Sequence, residues 1–491
     1  MEDAIELIFV PAPSVSHLVP AVQTAKLLLQ RRPQLSITFL VMKMVFAPES
    51  KVNSLIDSLI ADAGAADDKR LKFKLVLEDL DLDHAAALKD LDSINNYMNS
   101  GLLSEARDYC VNELITQKSR PRLAGFVIDI FYTRVMDLAD EFGVPTYVFY
   151  VVGAAMLGLA FHFQSLKDQH HGTLEEFIKE DYVNIPTYLN PFPVKLLPSF
   201  VLNTTDGVLD WARQFRRAKG IIPNTFFDLE PYAFQFLSKD KTIPPIYPLG
   251  PVLNLNTPQE SHNQIFKWLD DQPASSVVFL CFGSGCAFPE PQVKEIAYAL
   301  ERSGQRFLWA LRKLPSPGSG SLAVTEYTNL EEVLPEGFLE RTKSIGKVLG
   351  WAPQSAILAH PSVGGFVSHC GWNSVLESSW FGVPMATWPM IAEQQANAFQ
   401  VVREIGMGVE IKIDYRTGFR DPKNNNPIVP KIVSAKEIEI GITNLMDHST
   451  SKSIRMKAKE VKEKSRKALE EGGSCFNVVE SFFENVMKNL N

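Results

Sequence analysis

The segment WAPQSAILAHPSVGGFVSHCGWNSVLESSWFGVPMATWPMIAEQ, residues 351–394, shows the order of elements from which the fold follows. Its apolar residues Gly365–Val367 predict a short buried strand, and Ser368–Trp372 favour a tight turn. Asn373–Phe381 then has apolar residues at helical spacing. A strand, a turn and a helix in this order are typical of an α/β fold with a parallel sheet.

The predicted turn is suited to binding phosphate. It places the free backbone amides and the positive dipole end of a helix at the carboxyl end of a strand, where parallel sheets bind ligands. Gly371 lets the backbone approach an anion closely, and Asn373 and Ser374 carry further donors. His369 can supply another donor to the same phosphates.

Other residues of the segment are not explained by phosphate alone. Trp351 and Gln354 offer a flat indole beside an amide, which suits a nucleobase. Glu393 and Gln394 offer adjacent acceptor and amide groups, which suit the hydroxyls of a sugar. Glu377 is free to face a ligand from the predicted helix.

In length, order and most of its residues, this segment resembles the signature box of plant family 1 UDP-dependent glycosyltransferases. The resemblance implies an α/β protein of GT-B type, in which two Rossmann-like domains face each other across a cleft. It also implies a glucose donor, because Gln at the last position is similar to glucose-using members, although Glu393 stands where Asp is commoner. The implied UDP-sugar contacts are Trp351 and Gln354 on uracil or its ribose, Glu377 on the ribose, His369, Asn373 and Ser374 on the diphosphate, and Trp372, Glu393 and Gln394 around the hexose.

The composition excludes some classes of protein and favours one type of compartment. The 491 residues are too many for one core and predict two domains. With 49 basic and 57 acidic residues and no basic stripe, a nucleic-acid partner is not expected. Five cysteines in no paired spacing favour a reducing compartment, and no apolar run is long enough to span a bilayer. We therefore expect a cytoplasmic location, with no glycosylation at the Asn203 sequon.

His17 lies where a loop meets a helix in the first half. Ile5–Val10 and Leu35–Met42 predict strands and Leu18–Leu29 a helix, which together form a βαβ unit. Taken alone, His17 suits a helix-capping or surface residue as well as a catalytic base. The loop PAPSVSHLVP resembles the family's loop that bears the base, except that Ser16 replaces a usual Gly. The resemblance makes His17 the general base.

Asp129 ends a predicted buried strand, Leu123–Ile128. A carboxylate there is unfavourable unless it has a partner, and we expect that partner to be His17. The family's Asp at the matching place orients the base and stabilises its protonated form, which is the logic of a hydrolytic triad without its serine. The alternative is that Asp129 caps the helix predicted from Thr133 to Phe142.

A set of apolar and aromatic residues near the predicted strand Thr146–Tyr150 is a candidate acceptor cavity. Relatives often have Ser or Thr just after this strand, whereas this chain has two valines. Each member of the set suits an ordinary core position equally well. The set comprises Phe131, Tyr132, Val151, Val152 and Met156.

The second half begins after a linker. We predict an acceptor-binding domain at residues 1–250, a linker at 251–265 and a UDP-sugar-binding domain at 266–470. Gly283-Ser284-Gly285 follows a predicted strand, and its likeness to the family implies that Ser284 contacts the diphosphate. The helix in residues 471–491 packs back on the first domain in the resembled fold, and a dimerisation helix is the alternative. Loops are predicted at Leu77–His84, Pro315–Gly320 and Asp421–Pro427.

The predicted reaction is inverting transfer of glucose from UDP-glucose to a hydroxyl of a small lipophilic acceptor, such as a flavonoid or lignan. We expect no metal and no cofactor beyond this co-substrate, because residues 351–394 contain neither an Asp-x-Asp triplet nor a His-rich cluster. A monomer is expected. A dinucleotide oxidoreductase would need G-x-G-x-x-G in the first turn, which PAPSVSH lacks. A non-catalytic protein that binds UDP-sugar or a hormone is the second alternative, and the presence of both His17 and Asp129 argues against it.

Overall fold

The computed structural model describes residues 4–43, 51–76, 91–115, 121–170, 180–202, 208–255, 263–315, 324–417 and 429–490. Several sequence predictions fall at least partly outside these residues. They are the Asn203 sequon, part of the linker and the loops at Leu77–His84, Pro315–Gly320 and Asp421–Pro427. No helix in the described ranges is long and apolar enough to span a membrane.

The first half contains a six-stranded parallel sheet in the order β3-β2-β1-β4-β5-β8. Chain order reverses between β1 and β4, so their carboxyl ends flank a switch point at which open α/β sheets bind ligands. Its strands are β1 (Ile5–Val10), β2 (Leu35–Met42), β3 (Leu71–Val76), β4 (Arg122–Asp129), β5 (Thr146–Tyr150) and β8 (Gly220–Pro223), and β6 (Tyr182–Val183) and β7 (Phe192–Pro193) form a separate antiparallel pair.

Helices cover the first sheet and bury its apolar residues. β1, β2 and β5 are buried along their whole length, as expected for strands covered on both faces. The helices are α1 (Val15–Arg31), α2 (Lys51–Ala65), α3 (Leu91–Tyr109), α4 (Val135–Glu141), α5 (Ala154–His170), α6 (Ser199–Leu202), α7 (Val208–Phe215) and α8 (Pro231–Leu237), and Cys110–Ile115 continues α3 as a π-helical turn.

The second half repeats this design in a parallel sheet of order β11-β10-β9-β12-β13-β14. Its switch point lies between β9 and β12, where Cys281 pairs with Ser368 at the carboxyl ends. The strands are β9 (Val277–Cys281), β10 (Arg306–Ala310), β11 (Gly346–Leu349), β12 (Val363–Ser368), β13 (Met385–Thr387) and β14 (Gly408–Glu410).

The last helix of the chain packs on the first sheet. Tyr147 of β5 donates a hydrogen bond from its hydroxyl to Asn485 at 2.9 Å, and its ring lies 4.9 Å from that of Phe482. The helices of this half are α9 (Asn263–Asp270), α10 (Glu290–Ser303), α11 (Phe338–Thr342), α12 (Gln354–Leu358), α13 (Trp372–Phe381), α14 (Gln394–Phe399), α15 (Ala435–Met446), α16 (Lys452–Leu469) and α17 (Ser474–Lys488), with a π-helical turn at Gln400–Ile405.

Candidate active site

His17 and Asp129 meet at the switch point of the first sheet. His17 lies in the first turn of α1, and Asp129 is the last residue of β4. The His17 Nδ1 atom is 2.7 Å from Oδ2 of Asp129, whose side chain is fully buried. Because Nδ1 faces the carboxylate, the Nε2 atom is left to accept a proton from another molecule.

The pKa of His17 reflects opposing effects. Burial lowers this pKa, but attraction to Asp129, their hydrogen bond and a further attraction to Glu393 raise it above the ordinary value. Burial in turn raises the pKa of Glu393, which the charge of His17 partly offsets. Since Glu393 belongs to the second half, His17 lies across the cleft from the residues predicted to hold a sugar.

Two glycines make room for His369 at the second switch point. A Cβ atom added to Gly283 or Gly371 would lie 2.5 or 2.7 Å from the Nε2 atom of His369. The missing side chain of Gly371 therefore accommodates an imidazole, which differs from the expected close approach to an anion. Cys370, between His369 and Gly371, takes a left-handed φ of 63°, which turns the chain from β12 into α13.

His369 is held in its neutral form. Burial lowers the pKa of His369 to about 4. Its Nδ1 atom is buried and has no hydrogen-bond partner among the described residues. No side chain caps the first turn of α13, which begins immediately after Gly371. The turn thus combines free helix amides with a neutral imidazole that can donate one hydrogen bond.

Gln354, Ser374 and Glu377 form one hydrogen-bonded cluster. The Nε2 atom of Gln354 donates to Oγ of Ser374 at 2.8 Å and to Oε2 of Glu377 at 2.7 Å. Burial raises the pKa of Glu377 to about 7, and the bond from Gln354 opposes that rise. The structure therefore brings together residues that were predicted to contact a nucleoside and its phosphate.

Trp351 and Ser284 present exposed side chains. Trp351 is 41% exposed and precedes α12. The ammonium group of Lys51, in α2 of the first half, lies 5.0 Å from the centre of the Trp351 ring. Ser284 is exposed on the loop after β9.

Glu393 and Gln394 are fixed by neighbouring groups at the start of α14. The Oε1 atom of Gln394 accepts hydrogen bonds from the backbone amides of Met390 and Ile391 at 2.9 and 3.0 Å. Glu393 accepts a hydrogen bond from Asn397 at 3.3 Å. Because the oxygen of Gln394 is engaged, its amide nitrogen is the group able to donate to a ligand.

Two residues predicted to contact UDP-glucose also bridge the two halves. The Asn373 side chain donates to the backbone carbonyl of Ser16 at 2.9 Å, immediately before His17. The Trp372 indole donates to the carbonyl of Asn224 at 2.8 Å and is 3% exposed. The indole N–H of Trp372 is therefore unavailable to a hexose. The Asn373 amide joins α13 to the loop that precedes His17.

The candidate acceptor residues divide into an exposed and a buried group. Phe131 is 38% exposed, and its ring centre lies 5.5 Å from that of His17. The other four members are buried, and they are Tyr132, Val151, Val152 and Met156. Phe131 is the member best placed to contact a molecule bound beside His17.

Three residues at the contact between the two halves are not predicted from the sequence. They are Lys51 and the hydrogen-bonded pair Glu230 and Gln400. Glu230 precedes Pro231 at the start of α8, so its local pattern suits a helix terminus. Lys51 and Gln400 carry no local signal, because each acts on a residue of the other half. In the described part of the chain, no group of three or more His, Cys, Asp or Glu could hold a metal ion. Metal independence stays a prediction.

Comparison with known proteins identifies the family. Residues 251–418 match the model of the UDP-glucoronosyl and UDP-glucosyl transferase family. The chain is 47% identical to UDP-glycosyltransferase 100 of Panax ginseng, covering 98% of this chain and 99% of the relative. It is 45% identical to the UDP-glucose flavonoid 3-O-glucosyltransferase 6 of Fragaria ananassa, covering 99% of both chains.

Solved structures show the same architecture. A UGT transferase from Siraitia grosvenorii in complex with UDP has a TM-score of 0.81 and 39% identity, covering 98% of this chain and all of that one. UGT71G1 of Medicago truncatula, complexed with UDP-glucose, has a TM-score of 0.80 and 36% identity over 98% of both chains. The predicted GT-B arrangement of two Rossmann-like α/β domains is confirmed. The protein is a glycosyltransferase, and the chain belongs to the UDP-glycosyltransferase family of plants.

Proposed function

We propose that this protein transfers glucose from UDP-glucose, with inversion and without a metal, to a hydroxyl of a small lipophilic acceptor such as a flavonoid or lignan. The observation that carries the proposal is the 2.7 Å contact between His17 and Asp129. Glu393 of the second domain is close enough to His17 to raise its pKa. The relatives named above, one a flavonoid glucosyltransferase, support the donor and acceptor classes.

The donor lies along the carboxyl edge of the second sheet in this proposal. Trp351 stacks on uracil, and Gln354 and Glu377 hold the base and ribose. The diphosphate binds at the first turn of α13, where Ser284, His369, Asn373 and Ser374 add donors to the free amides. Trp372 contributes through its backbone, while Glu393 and Gln394 orient the hexose hydroxyls.

The reaction is a single displacement. The Nε2 atom of His17 takes the proton of the acceptor hydroxyl, and the oxygen attacks C1 of glucose from the side opposite UDP. The bond between C1 and the β-phosphate oxygen breaks as the new glycosidic bond forms. Asp129 stabilises the resulting imidazolium, and the helix amides with His369 stabilise the charge that develops on the leaving UDP.

The acceptor binds beside His17 in the first domain. Phe131 offers a partly exposed ring next to the base, and Trp211 packs edge-on against that ring at 5.1 Å. Val151 and Val152 follow β5 at positions where relatives often have Ser or Thr. This difference favours an apolar acceptor over a polar one. We also propose that the protein is a monomer. We also infer a cytoplasmic location, which the free cysteines support.

Incubation with UDP-glucose and a panel of phenols tests the proposal. The reaction contains EDTA, and products are read by mass spectrometry and their anomeric configuration by NMR. We expect UDP release with formation of a β-glucoside from at least one phenol. Tight UDP binding with no UDP release for any acceptor would favour the alternative of a non-catalytic binding protein.

Replacing Trp351 with alanine should weaken UDP binding about 10- to 100-fold. A base stacked on an aromatic side chain is stabilised by about 1–3 kcal/mol, and alanine removes the whole surface. Isothermal titration calorimetry with UDP measures the change in Kd. Trp351→Phe is the matched control, because it keeps a ring and should keep most of the affinity. Wild-type affinity in Trp351→Ala would remove uracil from this position.

A further inference from the structure

A buried carboxylate joins the two domains next to the site. Glu230, just before α8 in the first domain, is 4% exposed. Its Oε1 atom accepts a hydrogen bond from Nε2 of Gln400, in the second domain, at 2.7 Å. Gln400 is 2% exposed and begins a π-helical turn directly after α14. π-Helical turns of this kind occur frequently at functional sites.

Within the first domain, Glu230 holds the start of α5. Its two carboxylate oxygens accept the backbone amides of Ala154 and Ala155 at 2.9 and 2.8 Å, and the hydroxyl of Thr225 at 2.5 Å. A negative charge on free amides at a helix N-terminus is favourable. First-domain groups therefore hold the carboxylate in position. The Gln400 amide bonds to an acceptor whose orientation is already fixed.

The first residue of α13 also lies beside Glu230. A Cβ atom added to Gly153 would lie 2.6 Å from the Trp372 ring and 2.7 and 2.8 Å from the carboxylate oxygens of Glu230. Trp372 is the first residue of α13, and its indole bonds to Asn224 of the first domain. Asn224 also exchanges hydrogen bonds with the backbone of Val252, where the chain leaves the first domain.

We propose that Glu230 and Gln400 are positioning residues that set the distance between His17 and C1 of the bound sugar. On the second-domain side, the link ends at α13 and α14, which carry Ser374, Glu377 and Gln394 of the proposed UDP-glucose contacts. On the first-domain side it ends at α5, which follows β5 beside Asp129 of β4. The inference rests on the proposed function, because it assumes that the sugar lies between these elements.

The buried amide of Gln400 is energetically unfavourable in one respect, which supports this role. Its Oε1 atom is buried without a hydrogen-bond partner among the described residues. A buried unsatisfied acceptor is unfavourable, and an apolar side chain of similar volume would avoid it. Packing alone would therefore be served better by methionine, whereas the bond across the domains needs the amide.

Gln400→Met tests the inference, because it removes the link without touching the first-domain cap or any donor ligand. We expect kcat for glucosyl transfer to fall about tenfold, while the Kd for UDP stays within twofold. Small-angle scattering of the UDP-bound variant should show a wider spread of domain separations. The donor ligands all lie in the second domain, so only their placement against His17 changes.

Gln292→Met is the matched control. Gln292 is also a fully buried glutamine of the second domain, but both its hydrogen bonds, at 2.9 and 2.7 Å, go to the backbone of Val433 in the same domain. This variant should lower the melting temperature and leave kcat, Kd and scattering unchanged.

The inference is overturned if Gln400→Met keeps wild-type kcat and scattering, or if its UDP affinity falls in step with kcat. A wild-type protein that binds UDP but turns over no acceptor would contradict the proposed function instead. The scattering comparison would then still decide whether Glu230 and Gln400 hold the domains together, since it needs no turnover.

Discussion

Replacing His17 with alanine should lower the rate of glucosyl transfer about a thousandfold and leave UDP binding within about twofold of wild type. A positioned general base contributes about 10²- to 10⁴-fold to a rate, and alanine removes the only group assigned to take the acceptor proton. UDP binding is spared, because its ligands lie in the second domain. Initial rates with a phenol and calorimetry with UDP measure the two quantities.

His360→Ala is the matched control for this variant. The Nε2 atom of His360 lies 3.1 Å from Oδ1 of Asp270, so this histidine is also paired with a carboxylate. It precedes β12, at the end of the second sheet opposite the candidate site. We expect a wild-type rate. A His17→Ala variant that keeps more than about a tenth of the wild-type rate would contradict the assignment of His17 as the base.

Much of each domain can be predicted from the local sequence. β1 and β2 have the predicted bounds, because each is an apolar run followed by Pro11 or Lys43. β5 also has the predicted bounds, although two valines follow it. β3 is not among the predicted strands, although Lys72 and Lys74 alternate with apolar residues as in an edge strand. His17 and Asp129 could be paired from the sequence, because the resemblance to the family assigns the carboxylate at the end of this strand to the base.

The contacts between the domains could not be predicted. Asn373 and Ser16 are 357 positions apart, and Glu230 and Gln400 are 170 apart. Each residue type is ordinary at its position, and its partner depends on how one sheet is placed against the other. The sequence therefore predicts candidate residues for the UDP-sugar site and the base, whereas the structure shows which contacts join the two domains.

Replacing Asp129 with asparagine should lower the rate of transfer about a hundredfold or more and shift its dependence on pH. The asparagine keeps the size of the side chain but loses the charge that stabilises protonated His17. Its amide can also donate to Nδ1, which would leave the proton of the neutral ring on Nε2, where the acceptor proton must be taken. Both effects act on the base, so UDP affinity should not change.

The direction of the pH shift follows from the pKa of His17. Burial lowers this pKa, and Asp129, with a smaller contribution from Glu393, raises it above the ordinary value. The base must be unprotonated, so kcat/KM of the wild type should fall as the pH drops through this raised pKa. Without the Asp129 charge the effect of burial persists, and the acidic fall should move to lower pH.

A pH profile of kcat/KM for wild type, Asp129→Asn and Asp140→Asn separates this explanation from a general loss of structure. Asp140 is an exposed carboxylate of α4 that pairs with Arg217 at 2.8 Å, so its replacement should change neither the rate nor the profile. An Asp129→Asn variant that is slow but keeps the wild-type acidic fall would show that another group titrates there. In that case Asp129 would only orient the imidazole, because a carboxylate 2.7 Å from Nδ1 that stabilises its charge must also shift its titration.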